Sequence, residues 1–114
     1  MVGTVTLMED HKGVTSPKVM GDEYFVDAVI DITSYETGGV TFNASTFGLS
    51  RVTAVCITGT EKPSTYQPYI EVSATGAYES LSSFQVFLTN NDGSNGQTST
   101  SADNTIRVRV WGLM

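Results

Sequence analysis

From Tyr24 to Thr33 the chain alternates with a period of two. Tyr24, Val26, Ala28, Ile30 and Ile32 fall on one side and Phe25, Asp27, Val29, Asp31 and Thr33 on the other. That is the pattern of a half-buried strand, whose successive side chains point to opposite faces. The last run, Thr105 to Leu113, repeats it: Ile106, Val108 and Val110 are placed inward, and Arg107, Arg109 and Trp111 outward. Ser83 to Thr89 sets Phe84, Val86 and Leu88 against Gln85, Phe87 and Thr89, and Pro68 to Thr75 sets Ile70, Val72 and Ala74 against Tyr69, Glu71 and Ser73. Arg51 to Thr60 is rich in β-branched residues and apolar on both sides, Val52, Ala54 and Cys56 against Val55 and Ile57, as expected of a strand between other elements. A further strand is predicted over Val2 to Met8, weakened by Gly3.

Between these runs lie turn signals: Glu36-Thr37-Gly38-Gly39, Gly59 to Pro63, Gly76-Ala77, and the long polar stretch Asn90 to Asn104. Glycine supplies the positive φ of tight turns, and Asn and Asp bond locally to the backbone. One turn of helix is predicted over Ala44 to Leu49, capped by Asn43 and closed by Gly48. Short strands separated by turns, with no long period-3.6 segment, predict an all-β fold: a small antiparallel β-sandwich or barrel, jelly-roll-like, with at most that one helical turn. At 114 residues a single domain is expected, with residues 1–22 as an N-terminal strand or arm and 23–114 as the β-sandwich. The arm, interrupted by Gly3, Gly13 and Pro17, is expected to extend onto an adjacent chain.

Composition narrows the function. Hydrophobic residues make up 39% of the chain and the mean hydropathy is −0.04, enough for one packed core. The formal net charge is −6, with six Lys and Arg residues scattered along the chain, which argues against a nucleic-acid partner. The opening Met1-Val2-Gly3-Thr4-Val5 has neither the basic and apolar regions of a signal peptide nor a myristoylation pattern, and no stretch is long enough to span a bilayer. A soluble protein made in the cytoplasm, with no membrane partner, is expected.

Candidate chemistry is sparse. Cys56 lies in an apolar run and is expected to be a buried, inert thiol. His11, between Asp10 and Lys12, reads as a solvated loop residue, and one His with one Cys cannot make a structural zinc site. Asp27 and Asp31 share a strand face but stand about 13 Å apart at ~3.3 Å per residue, too far for a glycosidase pair. They read as solvent-facing charges that discourage edge pairing. Asn90-Asn91-Asp92-Gly93-Ser94-Asn95-Gly96 carries oxygen ligands but lacks the alternation and terminal Glu of a calcium loop. No phosphate-binding loop is present. A protein without catalytic residues, cofactor or metal is expected.

The C-terminus is the informative surface. Trp111, Leu113 and Met114 lie on or just beyond the polar face of the last strand beside Arg107 and Arg109, and Phe25 and Phe87 extend the same outward apolar surface. Trp and Arg dominate interface hot spots because each joins a large contact area to a polar handle, so these seven residues form the candidate protein interface. The alternative is a second core face, with Trp111 packed on the domain's own opposite sheet. Two arginines on that face favour an interface, since in an interior both would need partners.

The passage Val29-Ile30-Asp31-Ile32-Thr33, Tyr35, Thr37-Gly38-Gly39, Phe47-Gly48-Leu49 and Val52 resembles the N-terminal half of small β-sandwich structural proteins of tailed phages, over about residues 24–58. The resemblance implies a virion component, a capsid decoration or cement protein that binds and stabilises the outer shell. It also implies the major capsid protein or another virion protein as partner, and a homo-oligomer, with a trimer favoured. A rival expectation is a receptor- or carbohydrate-binding module of a tail or fibre, with Tyr24, Tyr35, Tyr66, Tyr69 and Tyr78 as stacking platforms. A hydrolase with a cryptic carboxylate pair is the remaining one.

Overall fold

A computed structural model describes residues 3–33, 35, 39–71, 82–90 and 103–114. Eight strands and one 3₁₀ turn follow in the order β1 (Gly3–Leu7), β2 (Lys18–Met20), β3 (Glu23–Ile32), β4 (Val40–Asn43), the 3₁₀ turn (Ala44–Phe47), β5 (Arg51–Thr60), β6 (Tyr66–Glu71), β7 (Ser83–Asn90) and β8 (Asn104–Leu113). Among the described residues they form two antiparallel sheets. The larger has the order β1-β3-β8-β5, with β2 also paired to β3, and the smaller has the order β4-β7-β6. This is the expected all-β, sandwich-like architecture.

The alternating residues of β3 and β8 meet in register, Val26 opposite Val110, Ala28 opposite Val108 and Ile30 opposite Ile106. All six are buried. Facing them from the smaller sheet are Val40 and Phe42 of β4 and Phe84, Val86 and Leu88 of β7. Each strand therefore contributes its apolar side to one shared interior, the arrangement that sandwiches require. Phe84 is the centre of an aromatic cluster, with ring centroids 5.9 Å from Phe42 and 5.6 Å from Phe47. Tyr35 is fully buried, and its pKa is raised by that burial, partly offset by hydrogen bonds to the backbone of Leu88 and Gly39. Asn104 is the buried polar side chain, and it is satisfied: its amide nitrogen donates to Thr60 Oγ1 at 2.9 Å and its oxygen accepts from the Lys62 backbone at 3.1 Å.

Several local expectations need correction. The helical turn is four residues of 3₁₀ helix closed by Gly48 in the left-handed region at φ 78, and Asn43 precedes it without making a side-chain cap. The N-terminal strand is Gly3–Leu7 and pairs with β3 of its own chain, Gly3 opposite Ile32 through Leu7 opposite Ala28, so this part of the arm is used at home. β6 begins at Tyr66; the remainder of the expected Pro68 to Thr75 strand, the Gly76-Ala77 turn, Tyr78 and residues 91–102 of the polar loop lie outside the described residues.

β5 departs most from its reading. Register shifts between Val52 and Ala54 and between Ile57 and Gly59 insert extra residues against β8. A bulge changes which side of the sheet the next residue faces. Val52, Val55 and Ile57 consequently share the inner side, while Ala54 and Cys56 turn out, and Cys56 is exposed rather than buried.

Candidate docking surface

The outer side of the larger sheet is covered by neither sheet of the sandwich. Cross-strand register orders its side chains in rows: Lys18, Phe25, Trp111 and Ala54; then Asp27, Arg109 and Cys56; then Thr6, Val29 and Arg107. Leu113 stands opposite Arg51 at the end of the sheet, 39% exposed, and Met114 follows at 65%. Trp111 is therefore on the outer side and half-buried, not part of a second core, because its neighbours Val110 and Gly112 take the inner side.

Arg109 is held rigidly. Its Nε and Nη2 donate to the two carboxylate oxygens of Asp27 at 2.8 and 2.9 Å, a fork-to-carboxylate pair set up by Asp27 standing directly opposite Arg109. The guanidinium also lies over the Phe25 ring, 4.5 Å from its centroid. The hydrogen bonds that Arg109 donates to Asp27 raise its pKa, and its attraction to the carboxylate adds to them, so Arg109 stays charged. Asp27 is thus a partner of Arg109 and not a free surface charge, and the acid that the sequence did not reveal for Arg109 sits 82 residues away. Arg107, one row along, is exposed and has no ion-pair partner among the described residues. It lines a shallow groove of about 370 Å³ with Val29, Gly59 and Thr105.

Phe87 does not belong to this surface. It lies on the other sheet and is only 6% exposed, its ring stacked 5.3 Å from Tyr69 at an interplanar angle of 4°. Gly39, at φ 91, passes directly over it, and a Cβ there would stand 2.9 Å from Phe87 Cζ. Period-two reading put Phe87 outward correctly but could not anticipate that the chain folds back across it. Nor do the described tyrosines form a shared platform: Tyr35 is in the core, Tyr69 is on the smaller sheet, and Tyr24 and Tyr66 pack at the margins of the core.

This side concentrates the basic residues of the chain. Four of the six basic residues, Lys18, Arg51, Arg107 and Arg109, project from the outer side of the larger sheet, against three strand acids, Glu23, Asp27 and Asp31. Glu9 and Asp10 stand at its margin near Lys18, and Glu61 lines the groove with Arg107, so the face is aromatic and of mixed charge.

One rim of the face is the loop after β1. Asp10 accepts backbone hydrogen bonds from Lys12 at 2.8 Å and Val14 at 2.9 Å and pairs with Lys18 at 3.4 Å. The loop bounds a cleft of about 210 Å³ over Phe25, Asp27 and Arg109, below the volume of ordinary ligand pockets and already crossed by an ion pair. His11 is exposed on this loop, and among the described residues no group of three His, Cys, Asp or Glu side chains could hold a metal ion. No helix among them is long and apolar enough to cross a membrane.

The backbone hydrogen bonds from Val14 and Lys12, more than the Lys18 charge, lower the Asp10 pKa below its ordinary 3.8. A depressed folded-state pKa stabilises the turn above the unfolded value, and that contribution is lost as pH falls through the folded value. Acid titration followed by NMR is expected to move the Lys12 and Val14 amide signals with a midpoint below 3.8. A midpoint at or above that value would show that the turn does not hold the carboxylate. Comparison with known protein families, with curated proteins and with solved structures finds no match.

Proposed function

We propose that this chain is a non-enzymatic structural protein of a phage virion, a capsid decoration or cement protein that binds the outer shell through the outer side of its larger sheet. The observation that carries the docking role is the face covered by neither sheet, on which Phe25 and Trp111 form the row beside an Arg109 already fixed by Asp27. A preset arginine loses little freedom on binding, and aromatic neighbours supply apolar area, which is the make-up of an interface centre. The exposed Arg107, with no ion-pair partner among the described residues, offers a charge for a carboxylate on the partner, which makes encounter salt-dependent. The virion assignment rests on the resemblance over residues 24–58 and on the suitability of a small sandwich for repeated attachment to a symmetric shell, where modest contacts add by avidity.

The purified chain is expected to bind shells of the major capsid protein and raise their melting temperature. Trp111→Ala should weaken that binding by about 30-fold or more, the effect of removing a hot-spot side chain, when measured at a temperature where its own thermal melt shows the variant folded. Retained affinity in Trp111→Ala would remove this face from the contact. Binding to host glycans without binding to shells would instead favour a receptor-binding module. Deleting residues 111–114 is a poorer test, because the Leu113 carbonyl accepts from the Ser50 backbone N–H at 2.8 Å and holds the start of β5.

A further inference from the structure

The five outer strands of the two sheets, β1, β2 and β5 in the larger and β4 and β6 in the smaller, are not equally protected against pairing with another chain, and β2 is only three residues long and carries Lys18. β5 carries two bulges. β6 contains Pro68, which has no N–H to offer, and the Tyr66 N–H is already taken by the Lys62 carbonyl at 3.1 Å. β4 is four residues long and runs straight into the 3₁₀ turn. Bulges, proline and shortness are the usual defences of a sheet edge. β1, Gly-Thr-Val-Thr-Leu, has none of them and no charge.

The direction of its free backbone groups follows from one bond. The Met8 N–H donates to the Asp27 carbonyl at 2.9 Å, so Met8, and by antiparallel alternation Thr6 and Thr4, turn their backbone groups towards β3. Gly3, Val5 and Leu7 turn theirs to the open edge, where no described residue pairs with them. The described loop after β1 bonds within itself, Asp10 N–H to the Val14 carbonyl and Gly13 N–H to the Asp10 carbonyl, and makes no backbone hydrogen bond to that edge. Val5 and Leu7 pack against the core yet remain only half-buried.

We infer that β1 is a self-association edge, pairing antiparallel with β1 of a second copy across a two-fold axis at Val5. The register that places Val5 opposite Val5 of the second copy also sets Gly3 opposite Leu7 and Leu7 opposite Gly3. Every outward-directed backbone group of Gly3, Val5 and Leu7 then meets its complement, giving about six new hydrogen bonds in the narrow-pair pattern of an antiparallel ladder. On the outer side the exposed Thr4 falls opposite Thr6 of the second copy, a pairing that sheets favour, and no like charges are brought together in a chain of net charge −6. On the inner side Gly3 leaves room for the facing Leu7, and the two Val5 side chains cover each other's open flank. The same patch serves both partners, as a two-fold interface requires, and the two larger sheets become one continuous sheet with both outer faces on the same side. This is independent of what the outer face binds, and it differs from the three-fold assembly that the phage resemblance implies.

Sedimentation equilibrium of the full chain is the test. The expected result is a reversible, concentration-dependent dimer of twice the 12.2 kDa chain mass. Thr4→Lys combined with Thr6→Lys places like charges opposite each other at two points and should weaken the dimer by about tenfold or more, whereas Thr4→Lys combined with Thr6→Glu places opposite charges there and should restore it. Both positions are exposed, so thermal melts of the two variants report that each remains folded. A monomer at every concentration, a trimer, or a dimer that responds equally to both variants overturns the inference.

Discussion

Phe84→Ala is expected to cost about 3–5 kcal/mol of folding stability, the range for deleting a large aromatic side chain from a closed interior. Phe84 is 2% exposed and its ring contacts Phe42 on one side and Phe47 on the other, so its removal leaves a cavity bounded by two rings from different elements. Neither ring can swing in freely. Phe42 is pinned over Gly3, where a Cβ would stand 2.8 Å from its Cζ, and Phe47 ends the 3₁₀ turn whose next residue, Gly48, is fixed in the left-handed region. A domain of this size holds roughly 5–15 kcal/mol in total, so the loss is a large share of it. Thermal unfolding should show a fall of more than about 10 °C. A melting temperature within a degree or two of wild type would mean that the smaller sheet does not close over the larger one as described.

The second large effect comes from adding an atom instead of removing several. Gly112 is buried in β8 opposite the bulge of β5, and a Cβ there would overlap the Arg51 carbonyl oxygen and reach 3.0 Å from the Arg51 carbonyl carbon and 3.1 Å from Leu49 Cδ1. The obstruction is backbone, and backbone can retreat only by breaking the bond from the Ser50 N–H to the Leu113 carbonyl or the pairing of Val52 with Gly112. Gly112→Ala is therefore expected to destabilise by about 3 kcal/mol, the upper part of the range for overpacking. It should also release the amides of residues 50–52 to exchange with solvent, while those of β3 change less. A variant as stable as wild type, with those amides still protected, would contradict the close approach of β5 to β8.

The legibility of this fold in its sequence depended on strand length and on how far apart the partners lie. β3 and β8 could be read residue by residue because each has ten residues of unbroken alternation. β2 has three residues and β4 has four, too few for a period to emerge. The phase of β5 was lost at Val52, since a bulge is set by the partner strand, and the burial of Cys56 was misjudged with it. The candidate surface was legible in part. Arg107, Arg109, Trp111 and Phe25 do share a face, because their parity within β3 and β8 fixes it. Their local arrangement was not legible: Asp27 faces Arg109 only because β3 lies beside β8 in that register, and sequence separation carries no sign of this. Phe87 was lost for the converse reason, since a turn from elsewhere and Tyr69 cover it.

The misjudged cysteine has a practical side. Cys56 is the one thiol of the chain, it is exposed, and it stands opposite Arg109 at the middle of the candidate surface. A maleimide dye attached there would label each molecule at a single known position, without engineered mutations and without a background of other sites. Its emission, or its protection from the reagent before labelling, reads occupancy of the Arg109 row directly. The same accessibility means that stored protein needs a reductant, because an intermolecular disulfide through Cys56 would occlude the face and pass for native self-association.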